Sequence, residues 1–225
     1  YDQIIHDLAL QKLPAILCMD RAGLVGNDGP THHGVFDLVF MNSIPNAIVS
    51  APKDGYELLD LLYTAIKTKE LFSIRYGKIL TDYNINYKPK LLDIGTWDEI
   101  NQGESIVILA VGSMLQIAKE VLEKISIELT KDIGLINCRF IKPLDEKLLD
   151  VTLNKYETIF TLEEGMVNGG FGSSVLEYAS KKGYAVNIKT IGIEDVFIEH
   201  GSREELLEIS GLSVNRIFKE LIKEI

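Results

Sequence analysis

Basic residues are outnumbered in this 225-residue sequence: 23 Lys and Arg stand against 33 Asp and Glu, for a formal net charge of −10. A nucleic-acid surface needs clustered Lys and Arg, so that class of partner is excluded. A small anionic ligand is not, because a local basic site can sit on an acidic protein. Long apolar runs are missing. None approaches the ~20 residues that span a bilayer, so no membrane helix is expected. Residues 1–11 are amphipathic and lack the basic start of a signal peptide. Cysteine is scarce, with Cys18 and Cys138 both inside apolar strand-like runs. They read as buried free thiols, which fits a reducing cytosol. A starting Met is absent too. The chain opens Tyr1-Asp2-Gln3 and enters a helical pattern (Ile4, Ile5, Leu8) with no N-cap signal. It therefore reads as a piece of a longer chain, cut inside an element.

What is present is alternation. A helix at 1–11 leads to a buried strand at 14–19, a polar loop, and a short helix at 36–42. A strand at 47–50 follows, then a helix that Asp54 caps and that carries Leu58, Leu61, Leu62 and Ala65 on one face. A third strand spans 72–76. Residues 77–103 break the rhythm with Asn84, Asn86, Tyr87 and Pro89, and read as a linker with short strands around 91–94. Strands at 105–111, 133–140, 158–162 and 185–191 then alternate with helices, and two helices close the chain. This predicts an α/β protein of two three-layer units with largely parallel sheets and right-handed crossovers. The expected division is 1–80, a linker at 81–103, and 104–225.

The loop after the first strand, DRAGLVGNDGPTHHG at 20–34, gathers Arg21, Asp28, His32, His33 and four glycines. It sits past a strand's C-terminal end, where open α/β sheets bind ligands. Arg21 offers a fork for phosphate or carboxylate. His32 and His33 can exchange protons near neutral pH, and Asp28 can orient a histidine or accept from a hydroxyl. The opposing interpretation is a solvated Gly-rich connector. Adjacent histidines lack the spacing of common zinc sites.

Other candidates read more plainly. The glycines of Asn168-Gly169-Gly170-Phe171-Gly172 could cradle an anion, but they match neither the dinucleotide fingerprint nor a P-loop, and close helix packing is expected. Ser113 reads as an N-cap. Glu163 and Glu164 could pair for acid–base work. Neighbours on a strand face opposite ways, however, so one buried contact and one exposed charge are expected. His6 reads as a packed helix-face residue, and Cys138 lacks a histidine partner for a nucleophile's role.

The segments YDQIIHDLALQKLP, DRAGLVGNDGPTHHGVFDL, IPNAIVSAPKDGYEL, CRFIKPLD, TLEEGMVNGGFGSSVLE and FIEHGSREELL span nearly the whole chain in order. Together they resemble the 1-deoxy-D-xylulose-5-phosphate synthase family, transketolase-like enzymes that depend on thiamine diphosphate. The resemblance covers the latter part of the pyrimidine-binding domain and all of the transketolase C-terminal domain. It implies a transferase that condenses pyruvate with glyceraldehyde 3-phosphate, releases CO2, and supplies isoprenoid and thiamine synthesis. It further implies Mg2+, a homodimer, and the cytoplasm (a plastid in a eukaryote). The resemblance carries Arg21 over as an aldehyde-phosphate ligand, and Asp28 and His32 as groups at the acceptor hydroxyls, with a catalytic part. The family's activating glutamate and Gly-Asp-Gly metal motif match no position here. Binding of thiamine diphosphate and Mg2+ is therefore expected on an N-terminal remainder, and the chain alone is expected to be inactive.

One departure stands out. The family's Arg-Tyr-Pro-Arg-Gly is Arg75-Tyr76-Gly77-Lys78-Ile79 here, so Lys78 replaces a second phosphate-binding arginine and loses its bidentate geometry. Two rivals remain: a β-subunit-like half of a two-chain thiamine-diphosphate enzyme, and a non-catalytic dimerisation module. The first should retain the activating glutamate. The second should show a degraded substrate loop.

Overall fold

Strand-forming runs alternate with amphipathic stripes on either side of residues 77–103. In a computed structural model they fold as two sheets with helices around them. Residues 1–78 and 84–225 are described, and the boundary expected at 80/81 lies outside them. A π-helical turn, Ile4–Ala9, comes first. Then follow β1 (Ala15–Met19), a 3-10 turn (Gly26–Asp28), α1 (Asp37–Asn42), β2 (Ala47–Ser50), α2 (Gly55–Thr68) and β3 (Leu71–Arg75). The later elements are β4 (Asp98–Asn101), β5 (Ile106–Ala110), α3 (Met114–Leu129), β6 (Gly134–Asn137), β7 (Phe140–Lys142) and α4 (Glu146–Lys155). The last are β8 (Thr158–Met166), α5 (Phe171–Lys182), β9 (Asn187–Ile193), α6 (Arg203–Ile209) and α7 (Val214–Leu221).

The first sheet is ordered β1-β3-β2-β7 and the second β4-β6-β5-β8-β9. Pairing is parallel except for β7 on β2 and β4 on β6. The expected α/β architecture is observed, with these two antiparallel strands added. Local chemistry accounts for the helix starts. The Asp54 carboxylate accepts from Glu57 N–H at 2.8 Å, and Asp145 does the same for Leu148 at 3.0 Å. Each satisfies a donor that the first helical turn leaves unpaired.

The expected strand over 133–140 is broken. Cys138 and Arg139 separate β6 from β7, and β7 crosses to the first sheet. Its Phe140 ring meets Phe72 edge-on at 6.2 Å, and the Phe140 carbonyl accepts from Trp97 Nε1 at 2.7 Å. Arg139 turns sideways to donate from Nε to the Thr96 carbonyl at 2.9 Å. Buried Glu57 on α2 accepts from Asn137 Nδ2 at 2.8 Å. Lys142 Nζ reaches the carbonyls of Asn42 and Ile44 at 2.9 and 2.7 Å. Burial lowers the pKa of that amine.

Three more expectations need correction. Residues 91–94 form no strand; the chain here runs along α2 instead, with Lys90 N–H on Asp60 Oδ1 at 2.7 Å and Leu92 N–H on Thr64 Oγ1 at 2.9 Å. The Tyr87 hydroxyl also donates to the Asp60 carboxylate. Burial and then that bond push the Tyr87 pKa up to about 12. Cys18 is exposed, since β1 is an edge strand and only half-buried along most of its length. His6 is exposed as well; the same turn packs through Ile4, Ile5 and Leu8.

Phe140 is fully buried, and truncating a buried Phe leaves a cavity as well as losing transfer energy. Phe140→Ala should therefore destabilise the chain by about 3–5 kcal/mol. Urea unfolding followed through the fluorescence of the single tryptophan, Trp97, tests this. A loss under about 1 kcal/mol would show that β7 contributes little to the first sheet.

Candidate active site

The chain leaves β1 at Met19, and loop 20–34 begins where β1 and β3 end side by side. Tyr76 N–H bonds the Met19 carbonyl at 3.0 Å, and Ala22 N–H bonds the Tyr76 carbonyl at 3.0 Å. The loop closes on itself at a neck. Gly23 N–H meets the Gly34 carbonyl at 2.8 Å, and Gly34 N–H meets the Gly23 carbonyl at 2.9 Å. A side chain at Gly34 would lie 2.4 Å from the Arg21 carbonyl oxygen, so the neck tolerates only glycine there. Arg21 itself takes φ 59°, a left-handed backbone that non-glycine residues adopt at a cost and that recurs at functional sites.

Arg21, Asp28 and His32 are all exposed on the loop. Asp28 ends the 3-10 turn, and the His32 ring nitrogen Nδ1 lies 3.0 Å from Thr31 Oγ1. Exposed Lys78 lines a cleft of about 310 Å3 with residues 24–27 and 201–203. Among the described residues, no side-chain hydrogen bond or ion pair joins these four to one another. His33 differs from its neighbour, being only 7% exposed. Val25 N–H donates to its Nδ1 at 3.1 Å, which leaves Nε2 to donate to the Glu199 carbonyl at 3.2 Å. Its ring is a brace for the loop.

The floor under the loop comes from the second sheet. The strand expected to end before Glu163 continues through Met166, so Glu163 and Glu164 both lie within β8. They do face opposite ways, yet each is only 1% exposed, which corrects the expectation of one exposed charge. Both faces of β8 are covered here, one by α5 and the other by loop 20–34 and α6. The Glu164 carboxylate accepts from Leu24 N–H at 2.7 Å and Ser113 Oγ at 3.0 Å. Arg203 grips it through Nη1 at 2.6 Å and Nη2 at 2.8 Å. Burial disfavours the charge of Arg203, but the bond to Glu164 and the carboxylate's field outweigh it and raise the guanidinium pKa. Ser113, read as an N-cap, makes no cap bond and serves Glu164 instead.

Arg75, at the end of β3, ties the same place together. Its Nε pairs with Asp37 at 2.7 Å, while Nη2 reaches the Gly34 carbonyl at 3.0 Å and the Glu164 carbonyl at 2.5 Å. The guanidinium is only 4% exposed, so the structure makes it a strut rather than an open ligand. No local signal marks the link between Leu24 and Glu164, which lie 140 positions apart.

On the other face of β8, the group cradled by the glycines before α5 is one of the protein's own carboxyls. Phe171 and Gly172 N–H groups donate to Glu163 at 2.8 Å each. A Cβ at Gly170 would meet Glu163 Oε2 at 2.4 Å, and one at Gly172 would meet Thr161 Oγ1 at 2.5 Å. The expected close packing is observed. Burial pushes the Glu163 carboxyl from 4.5 up to about 7, against the downward pull of the Gly172 and Phe171 amides and of Arg75.

Residues 1–82 match the family model described as Transketolase, pyrimidine binding domain. Residues 95–217 match the one described as Transketolase, C-terminal domain. The 1-deoxy-D-xylulose-5-phosphate synthase of Aquifex aeolicus is 46% identical over 220 residues, covering 97% of this chain and 35% of that protein. The synthase of Clostridium perfringens is 42% identical over 224 residues, 99% of this chain and 36% of that protein. The chain thus spans about a third of the length of these curated relatives. A solved split-gene transketolase, an inactive β4 tetramer, superposes with a TM-score of 0.84 at 25% identity, covering 99% of this chain and 70% of its own.

The raised carboxyl of Glu163 has a definite sign. Between about 4.5 and 7 the folded state holds a proton that the unfolded chain releases, so this group's contribution to stability falls as pH rises through that window. The unfolding free energy of the wild type, relative to Glu163→Gln, should therefore be lower at about pH 7.5 than at about pH 5. A difference that grows with pH would show that the two helix amides favour the anion by more than burial disfavours it.

Proposed function

Because the chain belongs to the transketolase family, we propose that it is the C-terminal part of a 1-deoxy-D-xylulose-5-phosphate synthase, and that it forms the acceptor side of that enzyme's active site. The 46% and 42% identity to two bacterial synthases across nearly all of this chain carries this reading. The complete enzyme would join pyruvate to glyceraldehyde 3-phosphate with loss of CO2, as a cytoplasmic homodimer feeding isoprenoid and thiamine synthesis. Its domains would divide near residues 80 and 103.

Each residue's part follows from its chemistry and its position. Arg21 presents a planar fork beside the loop neck, suited to the acceptor's phosphate. Lys78, on the cleft beside residues 24–27, adds a second positive charge without the fork. His32 and Asp28 face solvent on the same loop, where an imidazole and a carboxylate would bind the acceptor's hydroxyl and supply the proton that its carbonyl oxygen takes up as the new C–C bond forms. The described residues offer no ready site for the metal. Among the described residues no three His, Cys, Asp or Glu side chains gather to hold a metal ion. Because the chain spans only about a third of the synthases it matches, thiamine diphosphate and Mg2+ would be held mostly by residues outside it.

A separate subunit of a two-chain enzyme is the second reading, supported by the likeness to a split-gene transketolase. The codons before Tyr1 separate the two readings. An in-frame segment carrying the family's activating glutamate supports the single chain, and a start codon supports the separate subunit. The complete enzyme, given pyruvate, glyceraldehyde 3-phosphate, thiamine diphosphate and Mg2+, should release CO2, while the isolated chain should not. Turnover by the isolated chain overturns the proposal.

In the complete enzyme, Arg21→Ala removes a charge-assisted contact. It should raise the KM for the aldehyde phosphate about tenfold or more and leave that for pyruvate within about twofold. Steady-state kinetics with each substrate varied in turn checks this. An equal rise in both would make Arg21 structural.

A further inference from the structure

Leu24 is held at both its N–H and its carbonyl by groups of the second unit. Its N–H donates to Glu164 Oε1 at 2.7 Å, and its carbonyl accepts from Arg203 Nη1 at 2.8 Å. The same two residues grip each other through both pairs of terminal atoms. Gly23 lies so close that a Cβ there would sit 2.3 Å from Glu164 Cδ. The neck bonds close loop 20–34 upon itself but do not locate it relative to the second sheet. That location falls to Leu24, to His33 on the Glu199 carbonyl, and to Arg75, which bridges the Gly34 and Glu164 carbonyls. Of these attachments the one at Leu24 is nearest to Arg21 in the chain, three residues on.

We propose that the Glu164–Arg203 pair is a positioning device that sets where the loop holds Arg21, Asp28 and His32, and so sets the enzyme's affinity for its phosphorylated acceptor. This rests on the acceptor-site reading of the loop. Neither residue need touch substrate. Displacement of a binding group by about 1 Å can cost up to ~100-fold, and removing Arg203 takes the donor from the Leu24 carbonyl and the counter-ion from Glu164 at once. Arg203 is the member to change, because its side chain is 28% exposed and that of Glu164 only 1%.

In the complete enzyme, Arg203→Met should raise the KM for the aldehyde phosphate about tenfold and lower kcat through the displaced His32 and Asp28, with the pyruvate KM within about twofold. Arg203→Lys, which keeps the charge without the fork, should recover part of the loss. Hydrogen exchange gives a readout independent of turnover. Amides at 22–34 should exchange about tenfold faster in Arg203→Met, while those of β5 stay unchanged. Should Arg203→Met fail to fold, the near-isosteric Glu164→Gln is measured in its place with the same expectation. Unchanged exchange at 22–34 overturns the device, as does equal loss against both substrates or faster exchange throughout β5. A wild-type enzyme that fails to join pyruvate to the aldehyde overturns the acceptor reading instead, and leaves the exchange result to decide the clamp.

Discussion

The Glu164 carboxylate sits where the two halves of the chain meet, and the geometry of the candidate site depends on its satisfaction. It is an anion with almost no access to water. Such a group is tolerable only when paired and hydrogen-bonded. Its four hydrogen bonds come from three residues: the Leu24 amide of the loop, Ser113 before α3, and the fork of Arg203 on α6. Meeting the needs of one side chain thus ties the loop to the second sheet. The exposed residues of the loop inherit a fixed frame from a residue that none of them touches.

The same logic joins the halves elsewhere. Glu57 on α2 is buried and takes donors from its own helix start and from Asn137. Lys142 is drawn into the first half by two carbonyls at the end of α1. Between these polar ties lies an apolar seam. Phe140 packs on Phe72, and Trp97 on Phe171 at 5.7 Å, and one continuous core runs through both halves. Polar ties set the register of the halves, while the apolar core that runs through both, largely aliphatic with a few aromatic rings, adds hydrophobic stabilisation.

Much of this was legible in the residues. The strands and helices follow the apolar periodicity, Asp54 caps α2 as its position suggests, and the polar loop falls at a strand end. Reading failed wherever the decisive partner was distant. Nothing near Cys138 says that the strand must break and change sheets. Alternation correctly assigns Glu163 and Glu164 to opposite faces of β8, but it cannot say that both faces are covered. Of two adjacent histidines, the sequence does not tell which turns inward, and the structure buries His33 and leaves His32 exposed.

The sequence by itself determined the order of the elements, the α/β class, and the place of the loop that carries Arg21, Asp28 and His32. Each of these depends on neighbours within a few residues, where backbone geometry imposes a fixed spacing. Only the tertiary structure decided that β7 joins the first sheet, that Arg75 is a strut, and that Glu164 and Arg203 hold the loop in place. Those outcomes depend on which surfaces meet when the two sheets dock, and so on desolvation and hydrogen bonding between groups as far as 179 positions apart.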